Sequence, residues 1–422
     1  MPGEIIAFFP AKTLTPDPAV NVALERHLSL LLPGLFGMVP VSPQDMPLPA
    51  APALETLLAR ADRLEIADDS RDGGGRTTPG AVADDSRDGG GRATLGAVAD
   101  GRVSAIGVVE ARIFTLFGLG AEEGADLPVA AVTHVADGGD PDTAWWLRAD
   151  PVCLQPQGAG LILYDRPEPP LTHDQAQALV NEILQVFAAD GWHLEAPTPH
   201  RWYLRLAAAP AIQTSALSAV AGRDIHPYLP TGKDAKAWHV ILNEVQILLH
   251  TCALNVEREA LGHLPINSLW FWGGGRLPAR PSVDWTHVGS DEPVSQGLAR
   301  VCALPLSPLP TDAAAWLYQA MAGRHLLVFG PEHHGNGRGD ANTLQTFLTQ
   351  LEQHWIAPLL AAVKTGTVQS VTLYTEAGPG FHITRKTLGR WWRRRRRVTD
   401  YANSTTPGTR FDGALPSFSG LA

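Results

Sequence analysis

Apolar residues recur at helical spacing in three long stretches of the chain. In the segment LTHDQAQALVNEILQVFAADGW, Ala176, Leu179, Val180, Ile183, Leu184 and Phe187 fall on one face. The pair Thr172 and Gln175 forms a capping box ahead of it, and Gly191 marks its end. A second helix is predicted over 234–252, with Trp238, Ile241, Leu242, Val245, Leu248, Leu249 and Cys252 inward. The third carries Leu344, Phe347, Leu348, Leu351 and Trp355, and Pro358 is expected to end or kink it. The segment PALETLLARADRLE also reads as helix.

Between these lie short apolar runs predicted as strands. LPVAAVTHVADG reads as a buried strand, residues 144–165 as two strands around a glycine-containing turn, and HRWYLRL as one short strand. In NSLWFWGGGRLP, Leu269 and the three aromatics up to Trp272 form a strand re-entering the core, with Gly273, Gly274 and Gly275 as its turn. HLLVFG, the third helix and VQSVTLYTEAGPGFHI give a strand, helix, strand order. That order predicts a parallel sheet covered by helices in a mixed α/β protein.

Composition adds three constraints. With 422 residues and 45% hydrophobic content, the chain can build a core without covalent staples. Cys153, Cys252 and Cys302 are odd in number and widely spaced, which encodes neither a disulfide framework nor a zinc knuckle. The opening MPGEIIAFFPAKTL lacks a basic region and a sufficient apolar run, and no later stretch approaches the ~20 apolar residues of a membrane span, so a cytoplasmic protein is expected. The net charge of -10 argues against a general nucleic-acid coat, yet RWWRRRRR places six arginines within 390–397. Those arginines read as a solvated tail or, more sharply, as an anion, membrane or RNA contact. The residues from Thr399 onward read as disordered. A tandem repeat, ADDSRDGGGRTTPGAV followed by ADDSRDGGGRATLGAV, has too few apolar residues to pack and reads as a flexible surface insertion over 67–100.

Standard catalytic signatures are absent, including G-x-S-x-G, the P-loop and H-E-x-x-H. PEHHGNGRGD offers His333, His334 and Asp340 as candidate metal ligands at a strand end, although adjacent histidines on extended chain point oppositely. On the 234–252 helix, His239, Asn243, Gln246 and His250 form a stripe of uncharged hydrogen-bonders. That stripe reads as a polar packing surface or as one wall of a ligand cleft.

The ordered motifs HRWYLRL, GRDIHPYLPTGKDAKAW, LNEVQILLH, NVEREALGHLPINSLWFWGGG, LEQHWIAPLL and RWWRR resemble the RpfE-type regulatory proteins of bacteria. That family is in turn similar to the archaeal-type cofactor-independent phosphoglycerate mutases of the alkaline-phosphatase superfamily. The resemblance implies an alkaline-phosphatase-like α/β sheet core covered by helices and interrupted by a smaller α/β domain. The parts are a core over 1–150, an inserted domain over 151–265, the core's second part over 266–390, and a basic then disordered tail over 391–422.

The resemblance also implies ligand-binding roles for His200, Arg201, Asn243, His250, Asn255, Arg258 and Asn267, while Tyr228 and Cys252 stand where the mutase pattern has histidines. The first metal-binding Asp has no counterpart, VVEARIFTLFGLG offers no serine nucleophile, and Thr375, Glu376 and Ala377 replace the late Asp-His pair. The expectation is a regulatory, non-catalytic relative without a cofactor, binding a small anionic metabolite in an interdomain cleft. The alternatives are an active mutase or phosphatase using manganese or zinc, and a protein- or nucleic-acid-binding module built on the arginine tail.

Overall fold

The computed structural model describes residues 25–36, 48–65, 107–121, 125–330 and 341–405. The duplicated insertion and the loop holding His333, His334 and Asp340 lie outside the described residues. In chain order, β1 (Arg26–Leu31), α1 (Pro52–Arg60) and β2 (Asp62–Leu64) precede α2 (Val108–Leu116) and α3 (Val129–Ala136). Next come β3 (Trp145–Gln157), β4 (Gly160–Tyr164), α4 (His173–Phe187), β5 (His193–Thr198), β6 (Arg201–Leu206) and α5 (Leu217–Val220). Helices α6 (Ala235–His250) and α7 (Ala253–Ala260) lead to β7 (Ser268–Arg276), β8 (His287–Ser290), α8 (Pro293–Val301), β9 (Leu306–Ser307), α9 (Ala313–Gln319) and β10 (Gly323–Val328). The remainder is α10 (Ala341–Gln350), α11 (Ala357–Thr365), β11 (Ser370–Tyr374), β12 (Gly380–Thr384), α12 (Arg385–Leu388) and α13 (Val398–Thr405).

Two sheets result. The first is seven-stranded in the order β2-β12-β11-β1-β10-β8-β9. Its centre is parallel, because β11, β1, β10, β8 and β9 run the same way, and antiparallel β12 and β2 close one edge. The second is antiparallel, with β4-β3-β6-β5 in line and β7 along the other side of β3. All of its strands come from the stretch between Trp145 and Arg276.

The helices follow their apolar spacing. The Thr172 hydroxyl accepts from the Gln175 N–H at 3.2 Å, the Gln175 side chain returns to the Thr172 N–H at 3.1 Å, and Ala176, Leu179, Val180, Ile183 and Phe187 are buried on α4. Helix α6 buries Trp238, Leu242, Val245 and Leu249 against the second sheet.

Four elements differ from their expected form, each for a physical reason. LPVAAVTHVADG is a helix, α3, whose eight residues are all buried between other elements. With every side covered, no amphipathic period remains to be read. The glycines after the aromatic strand lie within β7 rather than at a turn, and β7 joins the second sheet rather than re-entering the first. The register shifts where Trp146 faces Gly275 and Arg148 faces Trp272, so an extra β7 residue is accommodated. Gly273 takes φ 66°, the left-handed conformation such a bulge requires.

Pro358 does not end its helix. Residues Leu351–Ile356 widen into a π segment, which loosens the ladder just where the proline ring would strike a preceding carbonyl, and α11 continues. Finally, part of the segment read as disordered is α13, anchored by buried Val398 and Tyr401 in the core of the first sheet, where Tyr401 meets Phe381 edge-on.

The sheets are joined through α3 and α8. Helix α3 packs on β3 and β7, and α8 follows β8 of the first sheet. A Cβ at Gly297 would lie 2.1 Å from the Val132 carbonyl oxygen, so only glycine admits this approach. Arg300 donates to the Val135 carbonyl at 2.9 Å beside it. Among the described residues, no helix is long and apolar enough to cross a membrane, and the three cysteines are buried and free.

Gly297→Ala is expected to lower the unfolding free energy by about 1–3 kcal/mol in urea titration, because backbone must move to admit the methyl group. A second expectation concerns His325, 4% exposed, whose Nε2 bonds the Met321 carbonyl. Burial holds its pKa below the ordinary 6.5, and the charges of His287 and Arg26 add to this. The stability tied to this neutral ring is complete above 6.5 and is lost as pH falls below it, since the unfolded chain takes up the proton first. His325→Phe should therefore lose less Tm than the wild type between pH 7.5 and 5.5; parallel Tm curves would contradict this.

Candidate functional site

The carboxyl ends of the parallel strands are where open α/β sheets hold ligands. Here the strands deliver three described segments to that edge. The turn after β1 places the Gly34 N–H 2.7 Å from Glu376 Oε2, which tethers it to the loop after β11. Beyond β8, Ser290 donates to the Val328 carbonyl at 3.1 Å and accepts from Ser295 at 2.7 Å. The Glu292 carboxylate caps α8, accepting from the N–H groups of Val294 at 2.8 Å and Ser295 at 2.7 Å. Beyond β11, Thr375 donates to the Ala377 carbonyl at 2.6 Å.

Helix α2 adds two charged residues to this edge. Arg112 is 4% exposed and donates through Nη2 to the Gly378 carbonyl at 2.7 Å and through Nε to the Glu376 carbonyl at 3.4 Å. Burial lowers its pKa, while Tyr374 and Glu376 oppose that shift. Glu110 accepts from Ser218 at 3.3 Å through Oε1, and its buried Oε2 has no partner. Burial raises the Glu110 carboxyl. Glu292 is pushed up to about 7, chiefly by burial and further by the charge of Glu110. Burial also raises Glu376, against the pull of the Gly34 N–H and Arg112. The edge thus holds three carboxyls that resist ionisation and one guanidinium whose two described bonds go to neutral carbonyls.

The residues grouped by the resemblance sit elsewhere, on and behind the second sheet, and most are already engaged. Arg201 donates through Nε to Asp137 Oδ2 at 2.8 Å and through Nη2 to Oδ1 at 2.5 Å, while the Tyr203 hydroxyl donates to the same carboxylate at 2.6 Å. Burial alone would lower the Arg201 pKa, but the Asp137 bond and charge outweigh it and hold it above its ordinary value. Asn255, 1% exposed, bonds the Leu249 carbonyl and both backbone groups of Ile266, each at 2.8 Å. Arg258, 3% exposed, donates to the carbonyls of Leu264 at 2.8 Å and Pro169 at 2.7 Å. Asn267 brackets Leu154, accepting from its N–H at 2.7 Å and donating to its carbonyl at 2.9 Å. An anion approaching Arg201 would have to displace Asp137, and one approaching Arg258 would have to displace two carbonyls.

The rest of the set faces outward. His200 lies exposed at the turn between β5 and β6, and Asn243 and His250 are exposed on α6. His239, in the same stripe, bonds the Pro230 carbonyl at 2.9 Å. Near Arg201, the structure also contains a buried pair that periodicity could have flagged. Arg148 and Asp150, two apart on β3 and so on one face, bond at 2.7 and 3.0 Å. Asp150 also accepts from Trp272 Nε1 at 2.7 Å, and the Arg148 guanidinium lies 5.1 Å from the Trp272 ring centre. Arg112 had a comparable signal, as the sole cation in α2 and flanked there by apolar residues.

A two-metal centre needs several carboxylate or imidazole groups converging on shared ions. Among the described residues, no group of three or more His, Cys, Asp and Glu side chains is placed to hold an ion. Both Glu292 oxygens are spent on backbone amides, and Glu376 holds the Gly34 turn. The described residues therefore do not fit a two-metal phosphotransfer centre. The candidate ligands His333, His334 and Asp340 fall outside them.

No family model matches the chain. A 59-residue stretch, 14% of the chain, is 34% identical to the 2,3-bisphosphoglycerate-independent phosphoglycerate mutases of Methanosarcina mazei and Methanosarcina barkeri. The match spans 15% of the length of each of these curated relatives. Among solved structures, the chain is similar to the cofactor-independent phosphoglycerate mutase of Thermoplasma acidophilum at a TM-score of 0.42 and 14% identity, over 91% of this chain and 95% of that one. A protein of Pyrococcus horikoshii gives a TM-score of 0.44 and 12% identity, over 85% of this chain and 86% of that one. The chain has a distant sequence similarity to cofactor-independent phosphoglycerate mutases, confined to a short segment.

Proposed function

We propose that this chain is a non-catalytic, RpfE-type regulatory relative of the cofactor-independent phosphoglycerate mutases, acting in the cytoplasm by binding a small phosphorylated or carboxylated metabolite. The observation that supports it most is the state of the strand-end edge. Its described carboxyls cap helices and turns, or sit buried with raised pKa, and Arg112 supplies a guanidinium without a bidentate carboxylate partner. Such an edge attracts an anion and lacks the open acidic ligands that phosphoryl transfer requires. Arg201 and Arg258, by contrast, act as struts.

The second reading is an active metal-dependent mutase or phosphatase. The sequence similarity to named mutases favours it, and it would draw its ligands from His333, His334 and Asp340.

Incubation with 3-phosphoglycerate, with and without Mn²⁺ or Zn²⁺, followed by phosphorus NMR, is expected to show neither isomerisation nor phosphate release. In the same buffer the ligand should raise Tm, by an amount equivalent to about 2.7 kcal/mol at a hundredfold excess over Kd. Metal-dependent turnover abolished by chelator would replace the binding reading with the enzymatic one. Arg112→Met should remove the ligand-induced Tm shift, and Arg112→Lys should keep part of it. An unchanged shift in Arg112→Met would place the anion elsewhere.

A further inference from the structure

A basic groove lies apart from the strand-end edge and shares none of its residues. It is lined by Ala50, Pro52, Glu55 and Arg60, from α1 and the residues before it, and by Trp391, Arg393, Arg394 and Arg395, which follow α12. At ≈ 590 Å³ it is within the 300–1,000 Å³ range typical of sites for small organic ligands. The arginine run is anchored at its start: Arg390 pairs with Asp62, and Arg393 donates to the Ala61 carbonyl at 3.0 Å. These contacts fix the segment as one wall of the groove and make it part of the fold.

The chemistry of the lining is uneven. Arg60 donates through Nη1 to the Leu388 carbonyl at 2.7 Å, but its buried Nε has no partner. Arg394 and Arg395 are exposed and make no hydrogen bond among the described residues. Trp391 is 78% exposed, and Trp392 meets it edge to face with ring centres 6.2 Å apart at 84°. A large aromatic surface left open beside several guanidinium groups, in a chain of net charge -10, is a combination that solvation alone does not favour.

We propose that this groove binds a nucleoside polyphosphate, with the base stacked on Trp391 and the phosphates held by Arg60, Arg393, Arg394 and Arg395. Guanidinium forks match phosphate oxygens in geometry and charge, and an indole face stacks on a base without needing its sequence. Glu55 offers an acceptor for the ribose hydroxyls, the part an acidic residue plays in dinucleotide folds. A single-stranded nucleic acid fits less well, because two indoles at 84° cannot both lie parallel to successive bases. A flat anionic membrane would leave the concave part of the site unfilled.

Isothermal titration of the full chain with ATP and with GTP, in EDTA, tests this. Tripolyphosphate, adenosine, phosphatidylglycerol vesicles and a thymidine oligonucleotide serve as separate arms. Saturable one-to-one binding of a nucleoside triphosphate is expected, with tripolyphosphate about tenfold weaker through loss of stacking and adenosine weaker still. The double variant Arg394→Ala/Arg395→Ala should weaken binding at least tenfold. Trp391→Ala should weaken it about tenfold, and Trp391→Phe should restore most of the loss. All these side chains are exposed, so each variant is expected to fold, which circular dichroism checks. Absence of saturable triphosphate binding, or binding indifferent to these substitutions, overturns the proposal. So does binding of vesicles or oligonucleotide at the patch with no response to nucleotide. None of these results bears on the strand-end reading, which is probed with 3-phosphoglycerate and Arg112.

Discussion

The approach of α8 to α3 at Gly297 is the contact on which the two-sheet arrangement depends. With no side chain at 297, the backbone of α8 lies against the Val132 carbonyl, and Arg300 satisfies the carbonyl of Val135. Helix α3 in turn lies on β3 and β7, so one close helix crossing couples the parallel sheet to the antiparallel one. Burying all eight residues of α3 follows from that role. Its Thr133 hydroxyl turns back onto the Val129 carbonyl at 2.8 Å, and His134 stacks on Trp146 with ring centres 4.0 Å apart while bonding Glu195. Polar atoms in this layer thus find partners within it, as a buried layer requires.

The same demand explains where the cations went. Arg148, Arg201 and Arg258 each lie in the second sheet or its helices, and each is tied to a carboxylate or to carbonyls. Removing a buried guanidinium from such a set leaves its partners unsatisfied, which costs more than the bond itself contributes. Residue types that serve ligand binding in one protein can therefore persist in another as internal struts. Asn255 illustrates this, since its amide closes the path from α6 through α7 to β7 by bonding Leu249 and Ile266.

Much of the fold was legible along the chain where one side of an element meets water. The stripe and capping box of α4 carried it, as did the inward residues of α6, and the glycine-containing turn marked the hairpin of β3 and β4. Legibility failed where burial was complete or where a local rule was overridden by tertiary packing. Helix α3 has no polar face to mark its period. Gly273 was visible as a breaker, but its bulge is defined by β3, a strand more than a hundred residues earlier in the chain. Pro358 obeys its own sterics, and the π segment before it makes the room. Of the strand-end edge, the sequence showed Glu376 only as a departure from a pattern. Arg112 and Glu292 become meaningful only once α2 and the end of β8 are brought beside the β11 loop.

Carboxyl groups at this edge can hold the backbone or hold metal, and the two uses compete. A carboxylate that accepts two amide hydrogen bonds at a helix start has little lone-pair capacity left for a cation in the same plane, and where burial outweighs those bonds its pKa rises. Glu292 is in that state: burial, helped by the neighbouring Glu110 carboxyl, raises it against the pull of the two amides. Phosphoryl transfer between two ions needs acidic groups that are ionised, convergent and open on one side. Binding without transfer needs only a charge of the opposite sign in a place that water does not fully screen. Arg112, 4% exposed and bonded to neutral carbonyls, meets the second requirement in a setting whose described carboxyls do not meet the first.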